Sequence, residues 1–197
     1  MRGAILAGGN ASRFGGRPKG LERVGGERIL DRVVTVMESA IGTRPLLVAN
    51  APDAATWRPD LEVVPDVQPQ HGSLGGIYTA VCAGSGPVLV TAWDMPFLTA
   101  DLLRALVNGS AEFDVFAPES GGPRGIEPLC AVYGPACGPA IRDAMERHDL
   151  SAVAFHPAVR VGVLPKTQVE RFGAVEHLFF NINEPSDLER AEAAWRA

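Results

Sequence analysis

Gly3-Ala4-Ile5-Leu6-Ala7-Gly8-Gly9-Asn10-Ala11-Ser12-Arg13-Phe14-Gly15-Gly16-Arg17-Pro18-Lys19-Gly20-Leu21 runs a short apolar segment straight into a glycine-rich loop carrying Arg13 and Lys19. An apolar run of this length, bounded by glycine, predicts a strand over Gly3 to Ala7. A glycine-rich exit lets backbone N–H groups turn toward a ligand, and cationic side chains beside it favour an anionic one. The loop therefore reads as a phosphate cradle. It fits neither G-x-G-x-x-G nor G-x-x-x-x-G-K-[ST]: the step from Gly9 to Lys19 is too long, and Gly20 rather than Ser or Thr follows the lysine. A dinucleotide-binding dehydrogenase and a P-loop NTPase are both disfavoured. Lys19 and Lys166 are the only lysines in a chain that otherwise uses arginine, so Lys19 marks a place where a compact ammonium suits better than a wide guanidinium fork.

Outward from this stretch, apolar β-branched runs alternate with helical patterns, the sequence form of repeated βα units. Strands are predicted at Pro45 to Ala49, Leu61 to Val64, Pro87 to Ala92, Phe113 to Ala117 and Pro128 to Tyr133. Two further strands are expected at Val159 to Leu164 and Leu178 to Ile182. Helices are expected at Ile29 to Ser39, Leu74 to Ala83, Ala100 to Val107, Gly138 to Arg147 and Pro185 to Arg196, where Pro185 suits the first turn because its missing N–H would have no partner there. The stretches Gly8 to Gly26, Pro65 to Gly76 and Glu119 to Pro128 follow apolar runs and read as surface loops. In open α/β sheets ligands bind beyond the carboxyl ends of the strands, so these loops become the candidate site.

Composition narrows the field. With 46% hydrophobic and 21% charged residues the chain is an ordinary folded domain. Its net charge of -5 speaks against a nucleic-acid binder, which needs cations to neutralise phosphates. No apolar run approaches the ~20 residues that cross a bilayer, and the N-terminus lacks a signal-peptide core, so a cytoplasmic protein without membrane partners is expected. Cys82, Cys130 and Cys137 form no C-x-x-C pair, and the four histidines show no H-x-x-x-H spacing; neither a disulfide framework nor a thiolate or zincin-like zinc site is indicated.

Leu6-Ala7-Gly8-Gly9 followed by Arg13, Gly15 and Lys19 resembles the signature loop of nucleotidyltransferases with a Rossmann-like fold, and the L-A-G-G form is similar to the molybdenum cofactor guanylyltransferases. Val63-Val64-Pro65-Asp66, Ala92-Trp93-Asp94-Met95-Pro96-Phe97 and Phe180-Asn181-Ile182-Asn183-Glu184-Pro185 follow in the order expected of that family, so the resemblance spans nearly the whole chain. It implies a three-layer α/β fold with a mostly parallel, mixed central sheet flanked by helices. It further implies that residues 1–197 form a single nucleotidyltransferase domain, the N-terminal part binding nucleotide and the C-terminal part binding the acceptor.

Carried onto this sequence, the resemblance implies that Leu6, Ala7, Gly8 and Gly9 hold the nucleotide by backbone contacts and that Arg13 and Lys19 act on its phosphates. Asn50 and Asp66 would contribute to nucleotide binding. Asp94 would hold Mg²⁺, and Asn181 and Asn183 would reach the acceptor or the metal. The residues support parts of this independently. The run into Asp94 places a carboxylate at the ligand edge of a strand, and Mg²⁺ takes one or two carboxylates plus substrate phosphates; capping the next helical turn is the alternative use. Asn181 and Asn183 are two apart, so a strand would turn both to one face, whereas a turn-and-cap role ahead of Pro185 is the other reading. His71-Gly72-Ser73-Leu74-Gly75-Gly76 precedes a helix whose free N–H groups suit an anion or a base edge. Glu127 lies in Ile126-Glu127-Pro128-Leu129, similar to a family strand near the second substrate, and receives no catalytic role.

The implied reaction joins GMP from GTP to the terminal phosphate of molybdopterin or its molybdenum form and releases pyrophosphate. Other cofactor-synthesis proteins and apo-molybdoenzymes would be its protein partners. The chain departs from the molybdenum enzymes at Ala11, Phe14, Pro18, Trp93 (usually Cys) and Glu184. Cytidylyl transfer to molybdopterin, nucleotidyl transfer to a sugar or other phosphate, and a non-catalytic nucleotide-binding role stay open at this point.

Overall fold

In the computed structural model, residues 1–8 and 18–196 are described. The first strand, β1 (Arg2–Leu6), is buried on both faces, which is why it reads as an unbroken apolar run. A glycine hairpin follows, β2 (Arg23–Val24) and β3 (Glu27–Arg28), with Gly25 and Gly26 both at positive φ (59° and 81°). The sequence predicts loop over this segment; a Gly-Gly pair between extended residues is the local signal for such a turn. Then come α1 (Ile29–Ile41), β4 (Leu46–Val48), α2 (Ala54–Trp57), β5 (Val63–Val64) and α3 (Gly72–Cys82). β6 (Val88–Ala92), α4 (Ala100–Gly109), β7 (Val115–Pro118), β8 (Cys130–Tyr133) and α5 (Cys137–Glu146) form the middle of the chain. The last third holds β9 (Val161–Leu164), α6 (Lys166–Val169), α7 (Val175–Leu178) and α8 (Pro185–Arg196).

The seven-stranded sheet has the order β5-β4-β1-β6-β8-β7-β9, and β8 alone runs against the rest. This is the mostly parallel, mixed sheet expected. The chain steps outward from β1 to β4 and β5, then returns to place β6 on the other side of β1. That reversal is a topological switch point, and in open α/β sheets the ligand crevice lies beyond the carboxyl ends of the strands flanking such a point.

Strand residues alternate between two cores. Ile5, Leu47, Leu89, Phe116 and Val132 face the layer containing α1 and α4, where Leu30, Val33, Leu103 and Leu106 are buried. Ala4, Leu6, Val48, Val90 and Ala131 face the layer of α3 and α5, against Leu74, Ile77 and Ile141. Helix ends follow local chemistry. Thr99 caps α4 by accepting from the Leu102 N–H at 3.3 Å, and Gly42, at φ 72°, ends α1 with its N–H on the Glu38 carbonyl at 2.8 Å. Among the described residues no helix is long and apolar enough to cross a membrane.

One expected element is replaced. Leu178 to Ile182 is not a strand: Leu178 closes the short helix α7, and residues 179–182 run on without joining the sheet, the Ile182 N–H donating to the Asp94 carbonyl beyond β6. The apolar side chains of this segment are buried instead in the α1–α4 core, with Phe179 and Ile182 both covered.

Candidate functional site

The site grows from the exits of β1 and β6, adjacent parallel strands whose last residues, Leu6 and Ala92, are in register. Beyond them the Trp93 N–H donates to the Leu6 carbonyl at 3.2 Å, and the Ala7 N–H donates to the Val48 carbonyl at 2.9 Å. Leu6 and Ala7 are buried, whereas Gly8 is exposed, and among the described residues a Cβ built on it would meet nothing within 4 Å. The backbone thus leaves the buried sheet at Gly8. Gly9 and Arg13 lie outside the described residues.

Asp94 follows Trp93 and is buried, its carbonyl accepting from the Ile182 N–H at 3.0 Å. Its Oδ2 is paired with the Lys19 ammonium, which also donates to Asn183 Oδ1 at 3.1 Å. Among the described residues its Oδ1 is buried without a hydrogen-bond partner. A buried carboxylate oxygen left open beside a second one that already carries a cation is a seat for positive charge. Lys19 comes from a short 3-10 turn, Lys19–Leu21, behind Pro18. Asn183 is held from behind: its N–H and that of Glu184 both donate to Asp187 Oδ2 at 3.0 Å, which caps the start of α8.

The two asparagines part company. Asn183 joins the cluster, while the Asn181 side-chain amide donates to the Phe179 carbonyl at 3.0 Å and holds its own turn. With no strand there, the two-residue spacing does not put both on one face.

Asn50 and Asp66 meet on the opposite side of β1. Asn50 Oδ1 accepts from the Asp66 N–H at 2.8 Å. Asp66 Oδ1 accepts from the Gln68 N–H at 2.9 Å and lies 2.8 Å from the Thr79 hydroxyl, which itself accepts from the Val67 N–H at 3.0 Å. Gly75 permits this approach, since a Cβ there would sit 2.3 Å from the Gln68 carbonyl oxygen. Asn50 and Asp66 therefore tie the loop after β5 to α3 and hold one wall of the crevice. The His71 Nδ1 atom beside the start of α3 is buried without a partner among the described residues.

Glu127, to which the sequence assigns no catalytic role, is carried by the fold to the same edge. Because β8 is antiparallel to β6, the start of β8 faces the end of β6, and the Ala92 N–H donates to the Leu129 carbonyl at 2.8 Å. Burial pushes the Glu127 carboxyl above its usual range, the Leu129 N–H bonded to it opposes the rise, and the nearby Asp94 charge adds to it. Only the reversal of β8 brings this residue close, a relation no local pattern encodes.

Among the described residues no three His, Cys, Asp or Glu side chains cluster to form an all-protein metal cage. The open oxygen, Asp94 Oδ1, suits a hard cation that completes its shell with phosphate and water, while Asp94 Oδ2 and Asn183 Oδ1 carry the Lys19 ammonium.

A switch-point crevice in a mostly parallel sheet, with a glycine exit on one strand and a cation–carboxylate pair on the next, defines a nucleotide-handling α/β protein. Within that class the chain belongs to the MobA-like NTP transferase domain family, whose model matches residues 3–159. A relative from Pelotomaculum thermopropionicum named "Probable molybdenum cofactor guanylyltransferase" is 35% identical over 190 residues, 96% of this chain and 90% of that one. "Molybdenum cofactor guanylyltransferase" from Desulfosudis oleivorans is 33% identical over 200 residues, covering 100% of this chain and 96% of that one. The crystal structure of molybdopterin-guanine dinucleotide biosynthesis protein A from Archaeoglobus fulgidus superposes with a TM-score of 0.80 at 27% identity, covering 98% of each chain.

Proposed function

We propose that this chain transfers GMP from GTP to the terminal phosphate of molybdopterin or its molybdenum form, making the guanine dinucleotide and releasing pyrophosphate. The observation that carries the reading is the Lys19–Asp94–Asn183 cluster at the switch point, in a chain whose full-length relatives bear the guanylyltransferase name. Nucleotidyltransferases generally work with a divalent metal; here it would be Mg²⁺, and Asp94 would hold it. Bound there, Mg²⁺ neutralises charge building on the phosphates.

The remaining work falls to the chain. The backbone from Leu6 to Gly9 receives the nucleotide, and Arg13 and Lys19 counter the charge of its phosphates. Asn50 and Asp66 shape the wall against which the nucleoside lies. Asn183 marks the acceptor side, with Asn181 holding the turn that precedes it, so nucleotide is bound by the N-terminal part and acceptor by the C-terminal part of one nucleotidyltransferase domain spanning residues 1–197. A phosphate monoester is already ionised near neutral pH and needs no protein base to become a nucleophile. Catalysis is then mainly in-line positioning and charge stabilisation. The protein works in the cytoplasm and hands its product to cofactor-synthesis proteins and apo-molybdoenzymes.

Calorimetric titration with Mg²⁺ and each of GTP, CTP, ATP and UTP tests the nucleotide half of this reading. GTP binding at least about tenfold tighter than the others supports it, a gap of about 1.4 kcal/mol; preference for CTP moves the protein to cytidylyl transfer.

A further inference from the structure

We propose that Trp93 is a positioning residue: its indole, braced on Trp57, sets the height of the Lys19 turn through Gly20 and so seats the Lys19 ammonium on the Asp94 carboxylate. This rests on the reading above, in which Lys19 serves the nucleotide phosphates.

The two charged residues each have a neighbour in the chain that touches the other's neighbour. Gly20 follows Lys19, and Trp93 precedes Asp94. A Cβ built on Gly20 would lie 2.3 Å from Trp93 Cε3 and 2.6 Å from Cδ2, so backbone rests directly on the six-membered ring with no side chain between them. Losing the flat ring at position 93, or adding a side chain at Gly20, alters the separation of the two backbones and, with it, the reach of Lys19.

Nor is the indole free to retreat. It stacks on Trp57 with ring centroids 5.1 Å apart and planes 21° from parallel, and both rings are buried. Trp57 is fixed in turn by its Nε1–H donating to Asp53 Oδ2 at 3.1 Å. The Trp93 main chain is pinned to Leu6 on one side, and Asp94 is pinned to Ile182 on the other.

The choice of tryptophan is costly if packing is its only task. Trp93 Nε1 is buried with no acceptor among the described residues, and a buried donor left unpaired opposes folding. An apolar side chain would fill the core without that penalty. What the indole adds is a broad rigid plate, wide enough to stack on Trp57 and carry the Lys19 turn at once.

The test measures Mg²⁺·GTP binding by calorimetry and thermal melting on the full chain for Trp93→Ala, Trp93→Phe, Gly20→Ala and the Gly20→Ala/Trp93→Ala pair. Trp93→Ala is expected to weaken GTP about tenfold or more, while Trp93→Phe, which keeps a flat ring, stays within about threefold of wild type. Gly20→Ala is expected to weaken GTP about tenfold in the wild-type background and less than about twofold beside Trp93→Ala, where the added methyl has room. Loss of melting temperature without loss of GTP affinity in Trp93→Ala, or equal effects of Gly20→Ala in both backgrounds, overturns the proposal. If Trp93→Ala does not fold, Trp93→Leu takes its place in the same comparison. Wild-type protein that binds no nucleoside triphosphate overturns the underlying reading and this proposal together; wild-type binding with an unchanged variant overturns this proposal alone.

Discussion

Lys19 and Asp94, 75 residues apart in sequence, form an ion pair in which only 17% and 9% of the side chains remain exposed. The pair knits the loop after β1 to the loop after β6 across the mouth of the crevice. Pairs this sheltered are poorly screened by salt, and removing one partner leaves the other desolvated and uncompensated.

Replacing Asp94 with Asn keeps the volume and the contact with Lys19 while removing the charge. We expect turnover to fall by about 10²-fold or more, the scale of losing one preorganised electrostatic group. Far-ultraviolet circular dichroism should stay that of the wild type. A rate within a few-fold of wild type would remove Asp94 from the chemistry.

Lys19→Met should separate two effects of one side chain. Without the ammonium, Asp94 is freed, so nucleotide-free protein should bind Mn²⁺, followed by electron paramagnetic resonance, more tightly than wild type. The same variant should show a raised KM for GTP, because a phosphate partner is gone. Weaker Mn²⁺ binding would contradict the shared seat.

Thr79 bridges the Asp66 carboxylate and the Val67 N–H from within α3. Thr79→Val preserves shape but leaves both groups short of a partner, so stability should drop by about 1–3 kcal/mol in urea unfolding. An unchanged unfolding midpoint would show that the loop after β5 is held by other contacts.

His156 sits with its Nε2 buried and unpartnered among the described residues, and burial lowers its pKa from 6.5 to about 4. The unfolded chain therefore takes up a proton there before the folded chain does. Stability from this residue is full above pH 6.5 and is lost as pH falls toward 4. Unfolding midpoints at pH 7 and pH 5 should differ less in His156→Phe than in wild type. Equal differences would locate the acid sensitivity elsewhere.

The central strands were legible because β1, β4 and β6 are buried on both faces and so read as continuous apolar runs. Lys19 and Asp94 were legible because each closes a pattern, one a glycine loop and the other a strand. The hairpin at Gly25-Gly26 was missed since its strands are only two residues each. The apolar stretch at Leu178 to Ile182 misled because length and hydrophobicity do not tell a strand from a turn that plugs a core. Glu127 and the Trp57–Trp93 stack depend on pairings between distant segments, which no window along the chain contains.

The most direct measurement is pyrophosphate release by the wild-type protein with Mg²⁺ and molybdopterin, comparing GTP with CTP, ATP and UTP and weighing the product by mass spectrometry. The account predicts release with GTP at least about tenfold above the others, a discrimination of about 1.4 kcal/mol, and a product of the mass of molybdopterin guanine dinucleotide. Release with another nucleotide alone, or GTP binding without any dinucleotide formed, would contradict it.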